Sequence, residues 1–214
     1  MHYEELLKFA NDLPVIESAG LRSLGLDPKA LSVQLNRWII SGKLIQLRRG
    51  VYLLPEHLRR NHPSAEVIAN LLLSPSYVSC ERALAIYQMI PENVPVVQSV
   101  TTKRAAIFAT AEGQFDYKHA PLSWFFGYQE MFVSGHKIFV ATPDKALADL
   151  LYFSKGELTA ARFYELRLQN TEQLDWKEIA DIATRTKKPQ FWHTMSRLRQ
   201  LLVKQEDGWN DIVP

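Results

Sequence analysis

Between Asp27 and Tyr52 the pattern of apolar and polar positions changes period once, and the change predicts two different elements. Leu31, Leu35, Trp38 and Ile39 recur at helical spacing and make one apolar stripe. Asp27 is a natural N-cap, and Pro28 falls at the first helical position, where its missing N–H costs nothing. The opposite face carries Lys29, Val33, Asn36 and Arg37, with Ser32 on its flank. After Ser41-Gly42 the period becomes alternating. Leu44 to Leu47 reads as a strand, Arg48-Arg49-Gly50 as a tight basic turn, and Val51 to Leu53 as the returning strand. A polar-faced helix followed by a hairpin with arginines at its tip is the pattern of a winged helix-turn-helix, so the stretch predicts a DNA-binding module. Upstream, Tyr3 to Asn11 reads as a short helix and Val15 to Leu24 as the first helix of the motif, with Gly25-Leu26 as the turn. Leu21, Leu24 and Leu26 are expected to pack with Leu31, Leu35 and Trp38.

Pro55 to Pro63 is polar, with two prolines and two arginines, and marks the expected boundary: a DNA-binding domain over 1–58, then a second domain over 59–214. Ser64 to Leu73 and Cys80 to Met89 read as helices. Strands are expected at Val96–Val100, Ala105–Phe108, Gly113–Tyr117, Glu130–Val133 and Lys137–Ala141, forming a mostly antiparallel sheet. Asp144 to Phe153 is amphipathic on Ala146, Leu147, Leu150 and Leu151. Helices are also expected over Thr159–Leu168, after Asp175 with its capping-box-like start, and over Phe191–Val203. Lys187-Lys188-Pro189 reads as a loop and GWNDIVP as a loosely held tail. The fold class is therefore α+β: a winged helix-turn-helix, then an α+β domain with a helical C-terminal part.

Composition alters this picture in one place. With 47% hydrophobic and 22% charged residues the chain is an ordinary globular one, and its net charge of +2 says little. From Leu21 to Arg60, however, eight Lys/Arg stand against two acids, whereas the residues from Asn61 onward are nearly balanced. The basic excess thus sits around the expected reading helix and wing, which points to a polyanion partner. The alternative is a basic solvated surface. One cysteine, Cys80, excludes an internal disulfide and suits a reducing cytoplasm. The amphipathic, acidic N-terminus does not resemble a secretory signal, and no apolar run approaches a membrane span.

The candidate DNA-binding residues are Lys29, Ser32, Val33, Asn36, Arg37, Lys43, Arg48 and Arg49. Arg37 suits guanine and Asn36 adenine, while Arg48 and Arg49 suit phosphate or minor-groove contact. Lys103 and Arg104, closing Thr101-Thr102-Lys103-Arg104, form a second basic patch that reads either as a nucleic-acid or partner contact or as a solvated turn. Asp116-Tyr117-Lys118 fits D-x-K, the end of a metal-dependent nuclease site, for which Glu92 or Glu112 would have to supply a further carboxylate. Cys80 at a helix start admits an activated thiol, against the plainer reading of a structural cysteine. Trp124 to Tyr128 is an aromatic cluster suited to stacking on a partner or, more simply, to core packing. The histidines show no ligand spacing, and there is no phosphate-binding Gly-rich loop or nucleophile elbow. No catalytic residue, metal or cofactor is expected.

The ordered series WIISGKLIQLRRGVY, LLPE, YVSCERAL, IPENVPVVQSVTTKR, FDYKH, FFGYQE and ATPDKALADLLY resembles the AbiEi-type antitoxins, transcriptional regulators of bacterial type IV toxin–antitoxin and phage-defence loci. The resemblance spans Leu13 to Tyr152. It implies a winged helix-turn-helix that binds operator DNA and represses its own operon, a C-terminal antitoxin part, and a nucleotidyltransferase-type toxin encoded alongside. It also implies binding to inverted repeats, with two copies on DNA. A stand-alone regulator without a toxin, and a nuclease targeted by the N-terminal module, are the competing readings.

Overall fold

The computed structural model describes the chain except residues 93, 134, 155–163, 187–188 and 211–214; residues 189, 190, 192 and 203–210 are described by backbone alone. Helix α1 (Tyr3–Ala10) buries Leu6 and Ala10. The expected helix over Val15–Leu24 is corrected. Strand β1 (Ile16–Glu17) comes first, and helix α2 is only Ser18–Arg22. The reason is local: Pro14 leads into β-branched Val15 and Ile16, and Ile16 pairs antiparallel with Tyr52. Leu24 lies beyond the end of α2 and is 52% exposed, so it is not a core residue.

Helix α3 (Pro28–Ile40) forms as its pattern predicts. The Asp27 carboxylate accepts from the Ala30 amide at 2.7 Å, and Leu31, Leu35 and Trp38 are buried. Gly42, at φ +69°, ends it in the left-handed conformation, and the Lys43 and Leu44 amides both donate to the Trp38 carbonyl. Strands β2 (Ile45–Arg48) and β3 (Val51–Leu53) follow, in a three-stranded sheet of order β1-β3-β2. Gln46 faces Tyr52 and Arg48 faces Val51, so Leu47 is an extra, bulged residue.

This small sheet is covered on both faces. Ile16, Leu44, Tyr52 and Leu54 join Leu6, Leu21, Leu31, Leu35 and Trp38 in an N-terminal cluster. Val15, Leu47, Val51 and Leu53 belong instead to the core of the rest of the protein. Arg59, in the Pro55–Pro63 connection, fastens the two parts further: it donates to the Leu54 carbonyl and grips Glu112 at 2.6 and 3.1 Å.

The larger body is a six-stranded sheet of order β6-β7-β5-β4-β9-β8, with β4 at Ser76–Val78, β5 at Val96–Thr101, β6 at Ala106–Thr110, β7 at Gly113–His119, β8 at Tyr128–Val133 and β9 at His136–Ala141. It is mostly antiparallel, as expected, with parallel contacts between β5 and β7 and between β4 and β9. Strand β4 went unanticipated because three buried residues between Pro75 and the next helix show no period. Helices α4 (Ala65–Leu72), α5 (Cys80–Ile86), α6 (Pro143–Phe153) and α7 (Trp176–Thr184) pack around it, with Ser64, Thr142 and Asp175 accepting amide bonds as side-chain caps of α4, α6 and α7. Helix α8 runs over Pro189–Asn210, longer than expected, so Gly208 to Asn210 are helical rather than tail. Of the expected helix Thr159–Leu168, residues 159–163 lie outside the described residues, as do Lys187 and Lys188 of the expected loop.

Candidate nucleic-acid interface

Helix α3 shows its polar face because its apolar stripe is spent on the N-terminal cluster. Lys29, Ser32, Val33, Asn36 and Arg37 are all exposed. Between α3, the start of α2 and the β2–β3 turn runs a groove of about 500 Å3, lined by Ser32, Val33 and Asn36 on one side and Gln46, Arg49 and Gly50 on the other, with Arg22 and Ser18 contributed by α2. Four of the eight expected DNA-binding residues therefore share one groove. Val33, 52% exposed, offers an apolar surface of the kind that meets a thymine methyl. Lys29 and Arg37 stand on the same helix outside the groove lining. Lys43 is turned toward α1, its ammonium 5.0 Å from the Tyr3 ring centre, while the Tyr3 hydroxyl donates to the Lys43 carbonyl.

Arg22, Gln46 and Ser18 were not singled out from the sequence. Arg22 was hidden by the overlong first helix, which gave no reason to aim it at the groove. Gln46 was legible in principle, as the exposed position between half-buried Ile45 and buried Leu47. Arg48 is the departure. It is half-buried and donates from Nε to the Leu72 carbonyl at the end of α4, and from Nη1 to the Arg49 carbonyl at 3.0 Å. It does not line the groove.

Lys103 and Arg104 are exposed at the β5–β6 turn, away from the groove lining. That turn is ordered locally. The Thr101 hydroxyl donates to the Pro75 carbonyl at 2.7 Å and accepts from the Lys103 amide, and His119 Nδ1 lies 2.9 Å from the Lys103 carbonyl.

The other candidate groups have partners within the protein. Asp116 and Lys118 pair with each other at 2.7 Å, while Tyr117 between them is buried and donates to the Ala69 carbonyl at 2.6 Å. Glu112 is held by Arg59, and Glu92 lies 3.5 Å from Arg167. Among the described residues no cluster of His, Cys, Asp and Glu could hold a metal ion. Burial pushes the Cys80 thiol well above its ordinary value, which opposes thiolate formation. Trp124 is buried and stacked on Tyr152 at 4.3 Å, and so belongs to the core.

A polar centre that the sequence reading missed lies inside the body. On α6, Lys145 and Asp149 are fully buried and form an i, i+4 ion pair. The Asp149 carboxylate also accepts from Trp124 Nε1 at 2.7 Å, Ser79 Oγ at 2.7 Å and the Tyr77 hydroxyl at 3.0 Å. The Lys145 ammonium lies 4.1 Å from the Trp124 ring centre and 5.0 Å from that of Phe126. Gly127, at φ +71°, makes room for it: a Cβ there would meet Lys145 Cγ at 3.0 Å. Burial pushes the Lys145 ammonium down, opposed by the charge and hydrogen bond of Asp149. The signal in the sequence was an opposite-charge i, i+4 pair inside an apolar helix. With both side chains sealed, the pair organises the core and offers nothing to a ligand.

No helix of the described residues is long and apolar enough to cross a membrane. No curated protein matches the chain. One family does match, over residues 4–55, from α1 through the β2–β3 hairpin, and its description is "Transcriptional regulator, AbiEi antitoxin". The resemblance over Leu13–Tyr152 is thus matched on its N-terminal side, where the groove lies: residues 4–55 are similar to the AbiEi antitoxin transcriptional regulators.

Proposed function

We propose that residues 1–58 act as a winged helix-turn-helix that binds double-stranded operator DNA, with α3 as the reading helix and the β2–β3 hairpin as the wing. The observation that carries this reading is the groove lined by Ser32, Val33 and Asn36 of α3 together with Arg22 and Arg49, inside the segment that holds the protein's basic excess and matches a regulator family. Asn36 and Arg37 are suited to base edges, whereas Arg22, Lys29, Lys43 and Arg49 are suited to phosphates. The protein represses its own operon by occupying inverted repeats, one copy on each half. Residues 59–214 supply the antitoxin function against a nucleotidyltransferase-type toxin encoded alongside, in the setting of phage defence in the cytoplasm. The groove offers surface and charge, not reacting groups, and the role is binding rather than catalysis.

The test is a gel-shift titration of the full chain against the DNA upstream of its own reading frame, with and without magnesium. A retarded band that survives excess unrelated DNA and shows no cleavage is the expected result. Binding no tighter than to unrelated DNA overturns the operator reading. Co-expression with the neighbouring nucleotidyltransferase-like frame tests the antitoxin role: growth is expected to recover, and continued arrest with soluble protein present overturns it.

A further inference from the structure

The β2–β3 turn carries two adjacent arginines whose surroundings differ. Arg49 is exposed and lines the groove beside α3. Arg48 is half-buried, with its guanidinium on the C-terminal end of α4. The last carbonyls of a helix have no partner within it and carry the negative end of the helix dipole. In α4 two of them are satisfied from outside: Ala69 by the Tyr117 hydroxyl at 2.6 Å, and Leu72 by Arg48 Nε. The same turn is held from its other side. Gly50, at φ +85°, presents its carbonyl to the Ser18 amide at 2.9 Å, and a Cβ at Gly50 would meet Ser18 Oγ at 3.1 Å. Leu47, bulged out of register just before the turn, drops into the core of the body.

We propose that Arg48 is a positioning residue, not a DNA contact: it fastens the turn to α4 while Ser18 holds the turn from α2, so that Arg49 is fixed over the groove. What the turn is held for rests on the DNA-binding reading above; how it is held does not. The guanidinium is suited to this task because it satisfies the Leu72 carbonyl through Nε and the Arg49 carbonyl through Nη1 from one rigid plane. A lysine keeps the charge but lacks that fork.

The experiment compares wild type, Arg48→Lys, Arg48→Ala and Arg49→Ala as full chains. Hydrogen exchange is followed without DNA. Salt titration of binding is followed on a duplex covering the region upstream of the reading frame. Arg48→Lys and Arg48→Ala are expected to speed exchange of the Ser18 amide and of the turn by about tenfold while leaving α3 unchanged, a local opening rather than unfolding. Both are expected to weaken DNA binding by about tenfold at every salt concentration, with the slope against log salt unchanged, because preorganisation is lost and no phosphate contact is. Arg49→Ala is expected to leave exchange alone and flatten the slope by about 0.9, the loss of one phosphate contact. Wild-type exchange and wild-type affinity in Arg48→Lys would overturn the proposal, as would a slope in Arg48→Ala flattened as in Arg49→Ala. If the exchange result holds but the wild-type chain binds no DNA, the fastening stands and the DNA-binding reading falls.

Discussion

The groove beside α3 and the centre beneath Trp124 both depend on a positive side chain, and they use it in opposite ways. Arg49 stands in solvent with its charge available to a polyanion. Lys145 is sealed, its charge met by one carboxylate and three aromatic ring faces. Exposure decides the difference. A charge in water is cheap to keep and weak at short range, but it sums with its neighbours into a field. A charge under the surface costs several kcal/mol to desolvate and persists only where every lone pair is answered, as at Asp149 with its four donors. Replacing an exposed charge such as Arg49 is therefore expected to leave the fold intact, whereas replacing a member of the sealed pair is expected to destabilise the body.

The largest way to break this contrast is Asp149→Ala. It strands a buried ammonium and three donors, and is expected to cost about 3–5 kcal/mol in urea unfolding; a loss under about 1 kcal/mol would mean that water reaches Lys145. Next is Gly127→Ala, where a left-handed backbone and contact with Lys145 Cγ at 3.0 Å predict a loss of about 1–3 kcal/mol, measured as the drop in thermal midpoint. Asn36→Ala sharpens the other side. It is expected to leave stability within about 0.5 kcal/mol and to lower operator affinity by about 1–3 kcal/mol. Equal losses on operator and unrelated DNA would assign Asn36 to the backbone instead of a base.

The smallest effect concerns pH. Burial alone would raise the Glu66 carboxyl, but hydrogen bonds from the Ser64 hydroxyl, its own amide and Arg82, with the charge of Arg82, hold it below its ordinary value. A carboxylate so lowered contributes stability above its unfolded value and loses it as pH falls through the lowered one. Wild type should accordingly exceed Glu66→Gln in stability near neutral pH, and the gap should close in acid. A gap that persists in acid would assign the effect to packing.

The hydrophobic stripe of Leu31, Leu35 and Trp38, the Asp27-Pro28 start and the Gly42 stop made α3 legible because each acts within a few residues along the chain. The capped starts of α6 and α7 and the β-rich middle were legible for the same reason. Strand β4 was not, because a three-residue strand owes its existence to β5 and β9 on either side, neither of which adjoins it in sequence. The first helix of the N-terminal motif was overdrawn because pairing with β3, more than thirty residues away, claimed Ile16 and Glu17 for a strand.

The sequence by itself determined helix α3, the basic turn and the concentration of charge around them, all carried by local period and composition. Only the tertiary structure decided which charges are displayed. Arg48 and Arg49 are identical neighbours in sequence, and they part because α4 places the Leu72 carbonyl within reach of one and nothing but the open groove before the other. Lys145 and Asp149 stand four residues apart on one helix, which by itself does not say whether they face water or the core. They became the centre of the body because Tyr77 and Ser79 from one segment and Trp124 from another arrive to meet them.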